Sequence, residues 1–168
     1  LFLYLLGFYI LLRAFNFKTY LAALGSILWA FSSYFLIIIA AGHIWKVLTL
    51  AFIPPTVGGL ILCYRGKLLW GGTVTAISTA FQIMSNHFQM SYYFLFPMLF
   101  LALAYGVDAL LHRRLLGWLK ATLMLAFAGL LGVAANLPNL YHTYEYSKAS
   151  LRGKAELSAP AGSHKAQA

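Results

Sequence analysis

Acidic residues are almost missing from this chain: three Asp and Glu stand against twelve Lys and Arg in 168 residues. Chemistry built on paired carboxylates therefore has little to draw on. Asp108 is the one acid within the apolar part, and Glu145 and Glu156 lie in a polar C-terminal stretch. A single cysteine, Cys63, excludes an internal disulfide and a cysteine-based metal cage; it reads as a small apolar residue near a helix end. Charged residues of both signs reach 9%, where a soluble domain carries about 25%. Hydrophobic residues make up 62%, and the mean hydropathy is +0.79. No polar surface can cover that much apolar matter, so much of the exterior must face lipid. There is also no charged leader followed by a small-residue cleavage site. The chain is apolar from Leu1, and the reading frame is expected to begin inside a span.

The basic excess, a formal +9, has two classical readings. Nucleic-acid binding calls for a basic patch interleaved with exposed aromatics. Here the basic residues fall between apolar blocks instead, where positive charge anchors loops on the cytoplasmic face. A helix needs about 20 apolar residues to cross the hydrocarbon core. The blocks are Leu1–Phe15, Tyr20–Ala41, Ile44–Tyr64, Leu68–Ser85, Tyr92–Leu111 and Trp118–Leu137. The expected fold is all-α, a polytopic transmembrane helical bundle over 1–140, with a polar extracytoplasmic tail over 141–168 whose end is expected to be disordered. The first, third and fifth connections hold Arg13, Lys18, Arg65, Lys67, Arg113, Arg114 and Lys120, whereas the second and fourth hold Lys46 alone. That bias puts the odd connections in the cytoplasm, and the even ones and the tail outside. Lys148, Arg152, Lys154 and Lys165 in the tail run against it, which a region remote from short loops tolerates.

Within the blocks, Pro54-Pro55 removes two backbone donors from the third span and predicts a hinge, a cavity wall or a packed kink. The Gly58-Gly59 and Gly71-Gly72 pairs allow close helix approach. Trp45, Trp70 and Trp118 sit toward block ends, as interfacial anchors do; Trp29 falls in mid-block.

Polar side chains are scarce enough for their placement to inform. His43 and Lys46 mark the second connection, and Ser85, Asn86, His87, Gln89, Tyr92 and Tyr93 the fourth. Asn136, Asn139, His142 and Glu145 follow the last block. By the charge bias all three groups share the external face. His43, Lys46, Asn86, His87 and Gln89 are candidate substrate-binding residues; Tyr92, Asn136, Asn139 and Glu145 are candidate external-face contacts. The bland reading of the first group is interfacial capping and headgroup contact. For Asn136 and Asn139 it is a helix-end or turn role beside Pro138. No two histidines stand at i, i+4, and no HExxH or CxxC occurs, so the spacing does not support zinc. Asp108, four residues before His112, reads as a helix-end contact.

The runs AGHIWKVLTLAFIPPTVGGL, YRGKLLWGG, QIMSNHFQMSYYFLF and ANLPNLYHTYEYSKASLRGKAEL resemble the YfhO-type bacterial membrane proteins, in the form common in Bacteroidetes. The resemblance covers about Leu1 to Leu157; residues 158–168 fall outside it. It implies a GT-C-like fold in the bacterial cytoplasmic membrane. It also implies an envelope glycosyltransferase that takes a sugar from a polyprenyl-phosphate carrier on the outer face and passes it to an envelope polymer or lipid. The class places its catalytic acid in a first external loop, which would precede Leu1, and Ala40-Ala41 stand where an acid precedes the Gly-His pair in relatives. Lys46 would then pair with a phosphate oxygen, and His43 and His87 would donate to phosphate or sugar. No cofactor is identified in these residues, and a divalent metal would need ligands from outside them. A lipid or small-molecule transporter or flippase and a non-catalytic scaffold are the competing readings. The nearly ion-free span middles and the lack of an internal repeat count against the transporter.

Overall fold

The computed structural model describes residues 1–149, and every regular element among them is an α-helix. In chain order these are α1 Phe2–Ala14, α2 Thr19–Ala30, α3 Ser33–Ala40, α4 Ile44–Tyr64, α5 Leu68–Met84, α6 Phe88–Leu111, α7 Leu115–Ala134 and α8 Leu137–Ala149. The chain divides into two compact units, one of residues 1–136 and one beginning at Leu137.

Short connections make the first unit fold back on itself repeatedly. Helices α1, α3, α4, α5 and α6 each stop at a residue in the left-handed region: Asn16, Gly42, Gly66, Asn86 and Arg113, with φ of 66, 74, 85, 53 and 54°. In the first of these turns the Asn16 amide donates to Arg13 and the Phe17 amide to Leu12. The same paired bonds recur at Gly42–His43, Gly66–Lys67 and Arg113–Arg114. This arrangement satisfies carbonyls that a helix end leaves open, a necessity where little water is at hand. The chain thus turns within a few residues and sends the next helix back.

Three helices, α4, α6 and α7, are each long and apolar enough to cross a membrane. The pair α2 and α3 passes the same test jointly, with a bend of 42° between them, and α1 and α5 are shorter apolar helices. The sequence expected one unbroken span over Tyr20–Ala41; the structure breaks it at Phe31 and Ser32. There Trp29 stacks on Phe8 with ring centroids 4.6 Å apart and meets Phe35 edge-on at 5.0 Å. That accounts for a tryptophan in mid-block: it fills the bend.

Helix α4 is the axis of the unit. It packs on α5 and α1 most extensively, and α5 in turn packs on α7. Glycine makes the α4–α5 approach possible. A β-carbon on Gly59 would stand 2.8 Å from the Gly71 carbonyl oxygen, and one on Gly71 would stand 2.6 Å from that of Gly59. Pro54 and Pro55 leave α4 continuous and buried, the packed arrangement among the alternatives the sequence allowed. Pro55 cannot bond the Ala51 carbonyl four residues back. That oxygen faces Gly7 of α1, where an added β-carbon would meet it at 2.7 Å and Pro55 Cδ at 3.0 Å.

By contrast, α6 buries Ala109 alone. Phe100, Leu103, Val107 and Leu111 are exposed along it. An apolar face of that extent is unusual on a water-soluble monomer and is what lipid contact requires.

Candidate functional site

Because successive long helices run in opposite directions, the connections alternate between two ends of the first unit. Side-chain bonds fix the arrangement. Near one end the buried Tyr4 hydroxyl of α1 donates to the Val47 carbonyl of α4 at 2.7 Å. There too the Asn136 amide, after α7, donates to Ala80 of α5 at 2.9 Å and to Gly132 at 3.0 Å. At the opposite end Arg65 Nη1 donates to the Ala14 carbonyl at 2.6 Å, placing a cation on the C-terminus of α1. Tyr64 lies 3.0 Å from Thr122 Oγ1. Since Thr122 already donates to Trp118, Tyr64 is the donor. The His87 end therefore carries His43, Lys46, Asn86, His87, Gln89 and Asn136. The Arg65 end carries Arg13, Lys18, Arg65, Lys67, Arg113, Arg114 and Lys120.

The candidate residues share an end without forming one pocket. His43 and His87 occupy the residues just before α4 and α6. His43 is exposed, and Lys46 and His87 are half-buried. Among the described residues no hydrogen bond joins these three to one another. Asn86 sits in the left-handed turn that ends α5, a conformation asparagine tolerates. Gln89 donates to the Tyr93 hydroxyl at 3.1 Å along α6. Asn136 is 8% exposed, and its amide is committed to the two carbonyls above, which is a helix-tying role. Asn139 and Glu145 belong to the second unit. There Thr143 donates to the Asn139 carbonyl at 2.8 Å, and Glu145 accepts from Tyr141 at 2.7 Å. That bond, with Glu145 as its acceptor, raises the Tyr141 pKa above its ordinary value. The tail beyond Ala149, with Glu156, lies outside the described residues. Among the described residues no cluster of three His, Cys, Asp or Glu could hold a metal ion. Asp108 is at the Arg65 end, where its carboxylate and its own carbonyl both meet His112 Nδ1, at 3.2 and 2.9 Å.

A second feature lies inside the first unit. A cavity of about 550 Å³ opens among α4, α5, α6 and α7. Of the candidate site residues named from the sequence, Tyr92 alone lines it. Its other polar lining comes from hydroxyls and one amide: Thr56, Thr75, Thr79, Gln82, Ser91 and Thr122 among them. Gln82 Nε2 donates to Thr56 Oγ1 at 3.0 Å, and Thr56 passes its own proton to the Phe52 carbonyl at 2.7 Å. Sequence reading overlooked these residues, although a signal exists. Helix α5 buries Gly71, Gly72, Thr75, Ser78 and Gln82, a small-and-polar stripe at helical spacing. In a lipid-facing helix the polar stripe turns inward, the reverse of a soluble helix.

Fold and surface together describe an all-α first unit with three helices long and apolar enough to cross a membrane, a His87 end that gathers most of the candidate residues, and an open, mostly apolar cavity among α4, α5, α6 and α7. No family model matches the chain, and no curated protein and no solved structure matches it either.

Proposed function

We propose that this chain belongs to a membrane-embedded envelope glycosyltransferase. Six helical passes, α2 and α3 counting as one, would cross a bacterial cytoplasmic membrane with the His87 end outside. The substrate is a sugar carried on a polyprenyl phosphate, and the acceptor is an envelope polymer or lipid. The observation that carries the reading is the segregation of the two ends. His43, Lys46 and His87 gather at one end, while Arg13, Lys18, Arg65, Lys67, Arg113, Arg114 and Lys120 gather at the other, the distribution that cytoplasmic anchoring of the second end would favour. A lipid-linked sugar phosphate presents an anion at the membrane surface. A lysine point charge and two imidazoles at that depth can meet it. Resemblance to the YfhO-type proteins adds the reaction class. These residues bind and orient; the described residues of the first unit bring no carboxylate to that end, so general-base chemistry is not assigned to any of them.

The test is sugar transfer from a labelled polyprenyl-phosphate donor by membranes holding the protein as its host makes it. Losing one charge-assisted contact to phosphate is worth about 1.5–3 kcal/mol. Lys46→Ala should therefore lower transfer about tenfold or more, and His87→Ala by a similar amount. Transfer at the parental rate in both variants would remove the two residues from the site.

A further inference from the structure

Positive charge at the Arg65 end has no answer within the first unit. The seven Lys and Arg gathered there are all exposed. The unit holds one acid, Asp108, and its carboxylate already meets His112 Nδ1 at 3.2 Å. Among the described residues no ion pair engages any of the seven, so their mutual repulsion is unrelieved. The helix ends do not relieve it either. Helices α2, α5 and α7 start at this end, directly after Lys18, Lys67 and Arg114. None of the three has a side-chain cap or an acid in its first turn. A helix start carries partial positive charge, and a cation placed there adds to the excess.

Packing draws four of these cations into one row along α1, α4, α5 and α7, which pack on one another in that order. Arg13 Nη1 donates to the Phe17 carbonyl at 2.7 Å, and Arg65 Nη1 to the Ala14 carbonyl at 2.6 Å. Both guanidinium groups therefore lie at the turn after α1, and each keeps further N–H donors free. Lys67 follows Arg65 by two residues. Gly72 of α5 abuts Met124 of α7, and Gly132 of α7 abuts Thr79 and Ala80 of α5, so these two helices run parallel and in step. One turn back, Lys120 stands level with Leu68, beside Lys67. Exposed apolar side chains flank the cations: Phe15 and Phe17, Leu69 and Trp70, Leu115 and Leu116. A soluble anion gains nothing from such a rim. A lipid phosphate arrives with hydrocarbon attached, and a mixture of basic and aromatic residues suits the headgroup layer.

We propose that the Arg65 end binds the phosphate of an anionic phospholipid from the leaflet at that end, held by Arg65, Lys67 and Lys120. A headgroup of net negative charge is preferred, because a zwitterionic one brings its own cation to a surface already rich in them. The site stands apart from the sugar-transfer reading. It is also independent of which end lies in the cytoplasm, since either end of a spanning bundle meets a headgroup layer.

The full chain is purified in an uncharged detergent and offered equal amounts of phosphatidylglycerol and phosphatidylcholine with the same acyl chains. Native mass spectrometry counts the lipids that stay bound. Phosphatidylglycerol should be retained over phosphatidylcholine by about tenfold or more, and the preference should shrink as salt rises. Lys67→Gln and Lys120→Gln, exposed single changes checked first for helical content, should each cut the preference about fivefold. Lys67→Arg and Lys120→Arg should keep it. Lys46→Gln removes the same charge at the other end, roughly 30 Å away along α4, and should leave the preference within about twofold. Equal retention of the two lipids, a preference that survives both glutamine variants, or an equal loss in Lys46→Gln would overturn the proposal. So would displacement of phosphatidylglycerol by inorganic phosphate at the same concentration, which would make the surface a site for soluble anions.

Discussion

Gly59 and Gly71 show what one missing methyl group does in this molecule. With no β-carbon on either side, the backbones of α4 and α5 come close enough for Cα–H groups and carbonyls to face one another, weak contacts that accumulate in lipid-facing bundles. Gly59→Val should force the helices apart, at a cost of about 1–3 kcal/mol. Gly129→Ala, whose added methyl would meet open space, should stay within about 0.5 kcal/mol of the parent. Detergent-titrated unfolding followed by circular dichroism reads both, and equal stabilities would refute the glycine contact. Sequence alone identified these glycine pairs as packing elements, because small residues in apolar helices have few other uses. It could not rank the polar residues. Asn86 is a turn former and Asn136 a tie between helices, roles visible only once φ angles and amide partners are known. Tyr141 and Glu145 form a further residue-scale pair, in α8. Tyr141 ionises above its ordinary 10.0 because its neutral hydroxyl donates to Glu145. A raised value means the bond helps the helix fully below pH 10.0 and is lost as pH rises through the shifted value. Ultraviolet titration of the phenols should therefore find one tyrosine in Glu145→Ala ionising at lower pH than in the parent; superimposable curves would remove the pair.

Helix α4 carries two prolines through its middle and stays whole, which is an element-scale question of where two freed carbonyls go. For Ala51 the answer is Gly7 of α1, in contact with both the carbonyl and the Pro55 ring. Gly7→Ala should push α1 away from α4, costing about 1–3 kcal/mol. Pro55→Ala returns the Ala51 carbonyl to the helix ladder and removes the ring, so it should soften that penalty. A double-mutant cycle on unfolding free energy should give a coupling above ~0.5 kcal/mol; strict additivity would mean the proline and glycine do not form a unit. Most element boundaries were legible. The block Ile44–Tyr64 is α4 at both ends, and Leu68–Ser85 differs from α5 by one residue, because Gly66 and Asn86 stop helices by a local rule. Helix α6 begins at Phe88, four residues before the expected Tyr92, since His87 and Gln89 looked polar enough to be loop. The α2–α3 bend was not legible. Phe31, Ser32 and Ser33 leave the hydropathy profile unbroken, and the aromatic cluster packed at the bend is drawn from α1, α2 and α3, which only the folded chain brings together.

At the scale of the whole molecule, charge asymmetry and helix reversal are separate facts that happen to coincide. Reversal follows from five left-handed helix stops and would hold in any orientation. Under the proposed topology the charge bias would select which end stays in the cytoplasm, because basic loops tend to be retained there. If both act as argued, His43 and His87 face out while Arg65 and Arg113 face in. Replacing Cys63, the one native thiol, by Ala leaves a blank background, and a cysteine is then placed singly at each of those four positions. On intact cells a membrane-impermeant maleimide should modify His43→Cys and His87→Cys, and should reach Arg65→Cys and Arg113→Cys only after the membrane is opened. Cys63 is buried against Gly71, so its alanine variant needs a check of folding by helical content first. The opposite labelling pattern would leave the helical arrangement intact and invert it in the bilayer. The lysine and histidines would then meet cytoplasmic rather than external substrates, and a lipid-linked sugar on the outer leaflet could no longer be what they hold.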